Sequence, residues 1–205
     1  VPSLTYAPPA YGTVDVLFGT GILLTAPNPS PGVGATVPSD ANLGVGSSWL
    51  GLGWSYVGAT EAGVTQTYNP TTQNINIEEQ PTPVGVAVNT ADLQFTANLS
   101  EETLANINLA YGNSGSVATT PAGAGQPGKS VLTLSTTFAT LSAVLIAKNV
   151  YGFATVLYVP VVVSAGQVQT AFRRAAQQRL YPLTLSAICP FGSISFTQLT
   201  AVATS

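Results

Sequence analysis

Glycine and proline interrupt this chain along its whole length, with 20 of the first and 15 of the second in 205 residues. Proline breaks helix interiors and glycine weakens helices and strands alike, so regular elements must be short and joined by many turns. Valine and threonine fill the spaces between breaks, which favours strands over a helical bundle. The strands are expected within 12–25, at the end of 49–57, and over 65–80, 131–136, 142–149, 153–163, 168–172, 181–188 and 193–199. Residues 84–99 read as two strands, Val84/Val86/Val88 and Leu93/Phe95/Ala97/Leu99, joined by a tight turn at Asn89-Thr90-Ala91. Asn149-Val150-Tyr151-Gly152 separates two strands at hairpin distance. The polar connection 173–179 has the length of one helical turn.

One helix is expected, over 101–111. Ser100 stands at the N-cap position, and Glu101 and Glu102 in the first turn complement the helix dipole. Leu104, Ile107 and Tyr111 share a face, and Gly112 is the stop. Strands, one helix, then strands again argue for a single all-β domain over 1–205, an antiparallel sandwich or partial barrel with one flanking α-helix. Two stretches lack any period: 26–46, rich in Pro, Gly, Ser and Asn, and 113–130, rich in Gly, Ser, Thr and Pro. Long aperiodic loops in a compact domain usually carry function. Pro27, Pro31, Gly34, Pro38 and Trp49 are the candidate assembly-loop residues.

The inventory of charged groups is short. Five Lys and Arg stand against eight Asp and Glu, for a net charge of −3, and no basic footprint for gripping nucleic acid exists. So few charges favour association over repulsion. With no histidine in the chain, the Ser-His-Asp and Cys-His arrangements and the usual zinc ligands are absent. Gly19-Thr20-Gly21 and Gly128-Lys129-Ser130 lack the spacing of phosphate loops. Glu78 and Glu79 are adjacent on an expected strand, so they point to opposite faces. No calcium loop is present. The expectation is a protein without enzymatic activity, metal or cofactor. The single cysteine, Cys189, reads as a small buried hydrophobe. No apolar run is long enough for a membrane-spanning helix, although a membrane β-barrel leaves a weaker signal. Val1-Pro2-Ser3 lacks the basic start and apolar run of a secretory signal.

Four passages resemble, in order and spacing, the tail tube proteins of long-tailed bacteriophages of the actinophage type. They are Trp49-Leu50-Gly51-Leu52-Gly53-Trp54-Ser55-Tyr56-Val57 leading to Glu61-Ala62-Gly63-Val64-Thr65; Ile75-Asn76-Ile77-Glu78-Glu79-Gln80-Pro81-Thr82-Pro83-Val84; Leu93 through Ile107; and Val168-Gln169-Thr170-Ala171-Phe172 with Leu180-Tyr181-Pro182-Leu183-Thr184-Leu185. The turn at 173–179 departs from the family in being basic rather than mixed.

The resemblance implies a virion protein assembled in the host cytoplasm. Rings of six would stack into a hollow tube around a tape measure protein, meet tail terminator and distal tail proteins, and later pass viral DNA without binding it specifically. The loops 26–46 and 113–130 would reach neighbouring copies. Four inner strands from each of six copies make a barrel of about 24 strands and about 48 Å backbone diameter. Two other readings of the residues stand beside it: a capsid decoration or tail terminator protein, and a β-sandwich carbohydrate-binding or adhesin module with Trp49, Trp54, Tyr56 and Tyr68 as the stacking aromatics.

Overall fold

A computed structural model describes residues 21–30, 32–76, 78, 82–123, 125–148, 153–170 and 179–199. The chain is mainly β and antiparallel, with a flanking helix, as expected. Its strands are β1 (Ile22–Pro27), β2 (Ser55–Tyr56), β3 (Thr60–Ile75), β4 (Gly85–Leu99), β5 (Val117–Thr120), β6 (Lys129–Leu132), β7 (Thr140–Lys148), β8 (Ala154–Ser164), β9 (Tyr181–Ala187) and β10 (Ser195–Gln198). Eight of them form one sheet in the order β2-β1-β7-β8-β9-β4-β3, with β10 beside the first half of β8. β5 and β6 form a separate hairpin that begins inside the stretch 113–130, which the sequence suggested was all loop, and ends at Leu132, within the strand expected over 131–136. The expected strand at 168–172 is not formed over its described residues, and its end, like the polar turn 173–178 and the hairpin turn 149–152, lies outside them.

The sheet has two faces and both are used. On one, alternate residues of the central strands and of β4 and β9 make the larger core: Leu23, Ala143, Leu157, Val159, Val162, Leu183, Leu185, Leu93, Phe95 and Leu99. A helix, α2 (Leu104–Ala110), lies against β9 on this side and contributes Ala110. On the other face of β1, β7 and β8 sits a second core of Leu24, Val144, Ile146, Ala154 and Val156, covered by Ala35, Leu43, Trp49 and Trp54. The central strands are therefore apolar at successive positions, and β1 reads Leu23, Leu24, Thr25, Ala26, all buried. A strand buried on both sides loses the polar–apolar alternation of a half-exposed one.

The helix is shorter than expected and its cap is not Ser100. Thr103 is the N-cap, its Oγ1 accepting the Asn106 N–H at 3.1 Å. Ser100 is instead held in the sheet: its Oγ donates to Ala59 O at 2.9 Å, and Glu101 Oε1 accepts the Ala59 N–H at 3.1 Å. Ala59, the residue before β3, thus captures the side chains that would have begun the helix, and the helix begins only after Thr103. Gly112 is the stop, at φ +63, where a Cβ would run into the carbonyl of Ser164.

The expected turn at Asn89-Thr90-Ala91 is a bulge in one continuous strand. β4 runs 15 residues without a break, paired along its length with β3. Asn89 is the extra residue, because Thr71 faces Thr90 while Thr72 faces Val88. A tight hairpin turn needs positive φ in its centre, which a glycine supplies most cheaply. This tripeptide contains none, and no described non-glycine residue has positive φ.

Candidate assembly surface

The hairpin β3–β4 is longer than the sheet that carries it. β9 pairs with β4 only from Gln94↔Ser186 to Leu99↔Tyr181. Beyond that, the pairs from Asn69↔Asp92 to Ile75↔Gly85 form a ribbon of two strands with no described strand on either side. At about 3.3 Å per residue, the seven residues of β3 in this arm project about 23 Å.

The register fixes which side chains share a face. Val64, Gln66, Tyr68 and Pro70 stand opposite Ala97, Phe95, Leu93 and Ala91, so they continue the face of the larger core. The bulge at Asn89 shifts the parity of β4, and Val88 and Val86, opposite Thr72 and Asn74, fall on that same face. Without it they would point the other way. The core's apolar row along β4 thus continues outward from Leu93, 4% exposed, to Val88 and Val86, 60% and 61% exposed. The opposite face is polar over Thr65, Thr67, Asn69 and Thr71 beside Thr96, Gln94, Asp92 and Thr90, and on Thr184 and Ser186 of β9, and it ends at the arm's tip with Gln73, Ile75, Ala87 and Gly85. Among these, Asp92 alone is charged, and its Oδ2 accepts from Gln94 Nε2 at 2.6 Å.

The stretch 26–46 behaves differently. Pro27 ends β1 opposite Leu141. Pro31 lies outside the described residues. From 32 to 54 the chain wraps the second face of the sheet, through a 3-10 turn at Asp40–Asn42 and a short helix α1 (Gly46–Leu50) that the sequence did not suggest. A Cβ on Gly34 would overlap the Tyr158 hydroxyl, so this glycine is a site of close approach. Tyr158 Oη donates to Ala35 O at 3.1 Å, and burial, ahead of its other neighbours, raises the phenol above its ordinary pKa. Ser142 Oγ accepts the Ala35 N–H at 2.7 Å and lies 2.6 Å from Pro160 O and 2.7 Å from Asn28 Oδ1, either of which takes its single proton. Pro38 is half-buried. Trp49 is wholly buried, its indole N–H donating to Leu43 O at 2.8 Å, and it meets Trp54 edge to face at 5.0 Å. Trp54 donates in turn to Thr36 O at 2.8 Å. Both tryptophans are internal, so they offer no platform for stacking on a sugar ring.

Elsewhere the polar chemistry ties elements together. Glu102 Oε1 accepts from Arg179 Nη1 at 2.9 Å and from Tyr181 Oη at 3.2 Å, joining the approach to α2 to the start of β9. Burial, then the Glu102 carboxylate, raises the Tyr181 phenol above its ordinary pKa. The described residues contain no group of three or more acidic or thiol side chains placed to hold a metal. No described helix is long and apolar enough to cross a membrane.

The residues that sequence reasoning missed are Pro70, Val86, Val88 and the bulged Asn89. The signal was present in the unbroken valine alternation and in a supposed turn without glycine. No known protein-family model matches the chain, and no curated protein matches it in sequence.

Proposed function

We propose that this chain is a structural, non-catalytic subunit that assembles with copies of itself into stacked rings, forming a hollow tube of the phage-tail kind through which viral DNA passes. The observation that carries this reading is the β3–β4 arm, with described strands on neither side. An isolated two-stranded ribbon is marginal in water, and bare strand edges invite pairing with another chain. The apolar row on β4 gives such a contact something to bury. The polar face, rich in Thr, Asn and Gln, presents no cation among its named side chains, so a polyanion moving past it would find nothing to hold it. The low overall charge agrees with a subunit enclosed by neighbours, since interface cores are depleted in Lys, Glu and Asp. In this reading the tape measure protein, tail terminator and distal tail proteins are the other partners, in the virion.

Electron microscopy and sedimentation of the full chain, beside a variant in which residues 70–91 are replaced by Asn-Gly so that the pair Asn69↔Asp92 closes the turn, test the proposal. Rings or tubes are expected from the full chain and a folded monomer from the shortened one. A full chain that remains monomeric at every concentration would sink the proposal. Closed oligomers that coat capsids without polymerising would point to decoration instead.

A further inference from the structure

We infer that the arm joins copies head to tail, the outer edge of β4 in one copy pairing with the outer edge of β3 in the next. The inference rests on the self-assembly just proposed and adds which edges meet.

The prolines orient the backbone groups. Pro70 has no N–H, so within the β3–β4 ladder it must occupy a position whose N faces away from β4. Alternate residues of β3 then share that outward direction: Gln66, Pro70, Thr72 and Asn74. Across the ladder, Val88 and Val86 face outward from β4. Pro182 checks the assignment. Its partner is Asn98, and the same alternation places Asn98 in a pair that exchanges no bonds, as a proline requires. So β4 carries outward N–H and C=O groups on Val86 and Val88, and β3 carries them on Thr72 and Asn74, with a missing donor at Pro70.

Three edge pairings between copies are available. β3 with β3 places a donor-less Pro70 on both strands of the joint. β4 with β4, related by a two-fold axis at Ala87, sets four valines side by side but leaves two 16-residue β3 edges bare. β4 with β3 uses one edge of each kind, keeps every neighbour antiparallel, and repeats until a ring closes with no arm edge left over. Only this third arrangement answers the edge problem of both strands.

Cysteine crosslinking separates the three. In a Cys189→Ser background, single variants Gln66→Cys, Thr72→Cys and Asn74→Cys on β3, and Val86→Cys and Val88→Cys on β4, are oxidised to disulfides, which form only between directly neighbouring strands, in β3–β4 mixtures and in a Val86→Cys with Val88→Cys mixture. The expected result is a covalent dimer in at least one β3–β4 mixture and none from the β4–β4 mixture. A dimer from the Val86→Cys with Val88→Cys mixture establishes the two-fold joint and overturns the inference while leaving self-assembly intact. Oligomers by sedimentation without crosslinks in any mixture also overturn it. Absence of oligomers as well as crosslinks removes the self-assembly reading together with the inference.

Discussion

The wrapping segment 32–54 and the β3–β4 arm exchange the roles that their sequences suggest. The first overlaps the stretch 26–46, rich in Pro, Gly, Ser and Asn, which looks like a loop free to reach a neighbour. It is anchored to its own sheet by two tryptophans, a tyrosine hydroxyl and a buried serine. The second alternates like ordinary core strands, yet half of it leaves the body. The contrast teaches that regular secondary structure and burial are separate questions. An irregular segment can be held by a few large side chains whose polar atoms reach backbone carbonyls, while a regular hairpin is only as buried as the strands beside it.

Substitutions at the two regions are expected to separate stability from assembly. The largest effect belongs to Trp49→Ala, which removes a wholly buried indole; a loss of about 3–5 kcal/mol is expected in urea unfolding. Unchanged stability with lost assembly in that variant would restore the segment to the role its composition suggests. Ser142→Ala comes next. It takes away the acceptor of the buried Ala35 N–H, and a cost of about 1–3 kcal/mol is expected by the same measurement.

A smaller effect is expected from alkali. Tyr158 has a folded-state pKa raised above 10.0, chiefly by burial, so the fold favours the neutral phenol. That contribution is complete below the ordinary tyrosine pKa and is lost as pH rises through the raised one. The urea midpoint should therefore fall in alkaline buffer, and less so in Tyr158→Phe. Tyr181 is shifted in the same direction, so the difference between the two proteins is the readout. Equal alkaline losses in both would mean that the phenol is not a latch for the segment.

The smallest effect on stability is expected in the arm. Val88→Ser, at an exposed position, should shift unfolding by no more than about 0.5 kcal/mol while weakening oligomer formation in sedimentation. A destabilisation comparable to that of Trp49→Ala would show the arm packed against its own chain and would erase the contrast.

Much of this architecture was legible in the residues. The Gly and Pro spacing pointed to many antiparallel strands, Gly112 marked the helix stop, and the alternation of Leu93, Phe95, Ala97 and Leu99 placed the β4 core face; β3 and β4, at 16 and 15 residues, are longer than the short strands that the same spacing suggested. The cap was not legible, because Ser100 and Glu101 satisfy Ala59, just before β3, 41 and 42 residues away in sequence. The bulge was not recognised either: Asn89-Thr90-Ala91 suits a turn or a bulge, and only the partner strand chooses.

By itself, then, the sequence determined the kind of element and the spacing of its apolar positions, since both follow from local backbone sterics and from side-chain period. The tertiary structure alone decided which faces are covered. Burial depends on what lies beside a strand: β9 covers β4 no further than Gln94, the 32–54 segment folds over β7 and β8, and one inserted residue turns two valines onto the core's face.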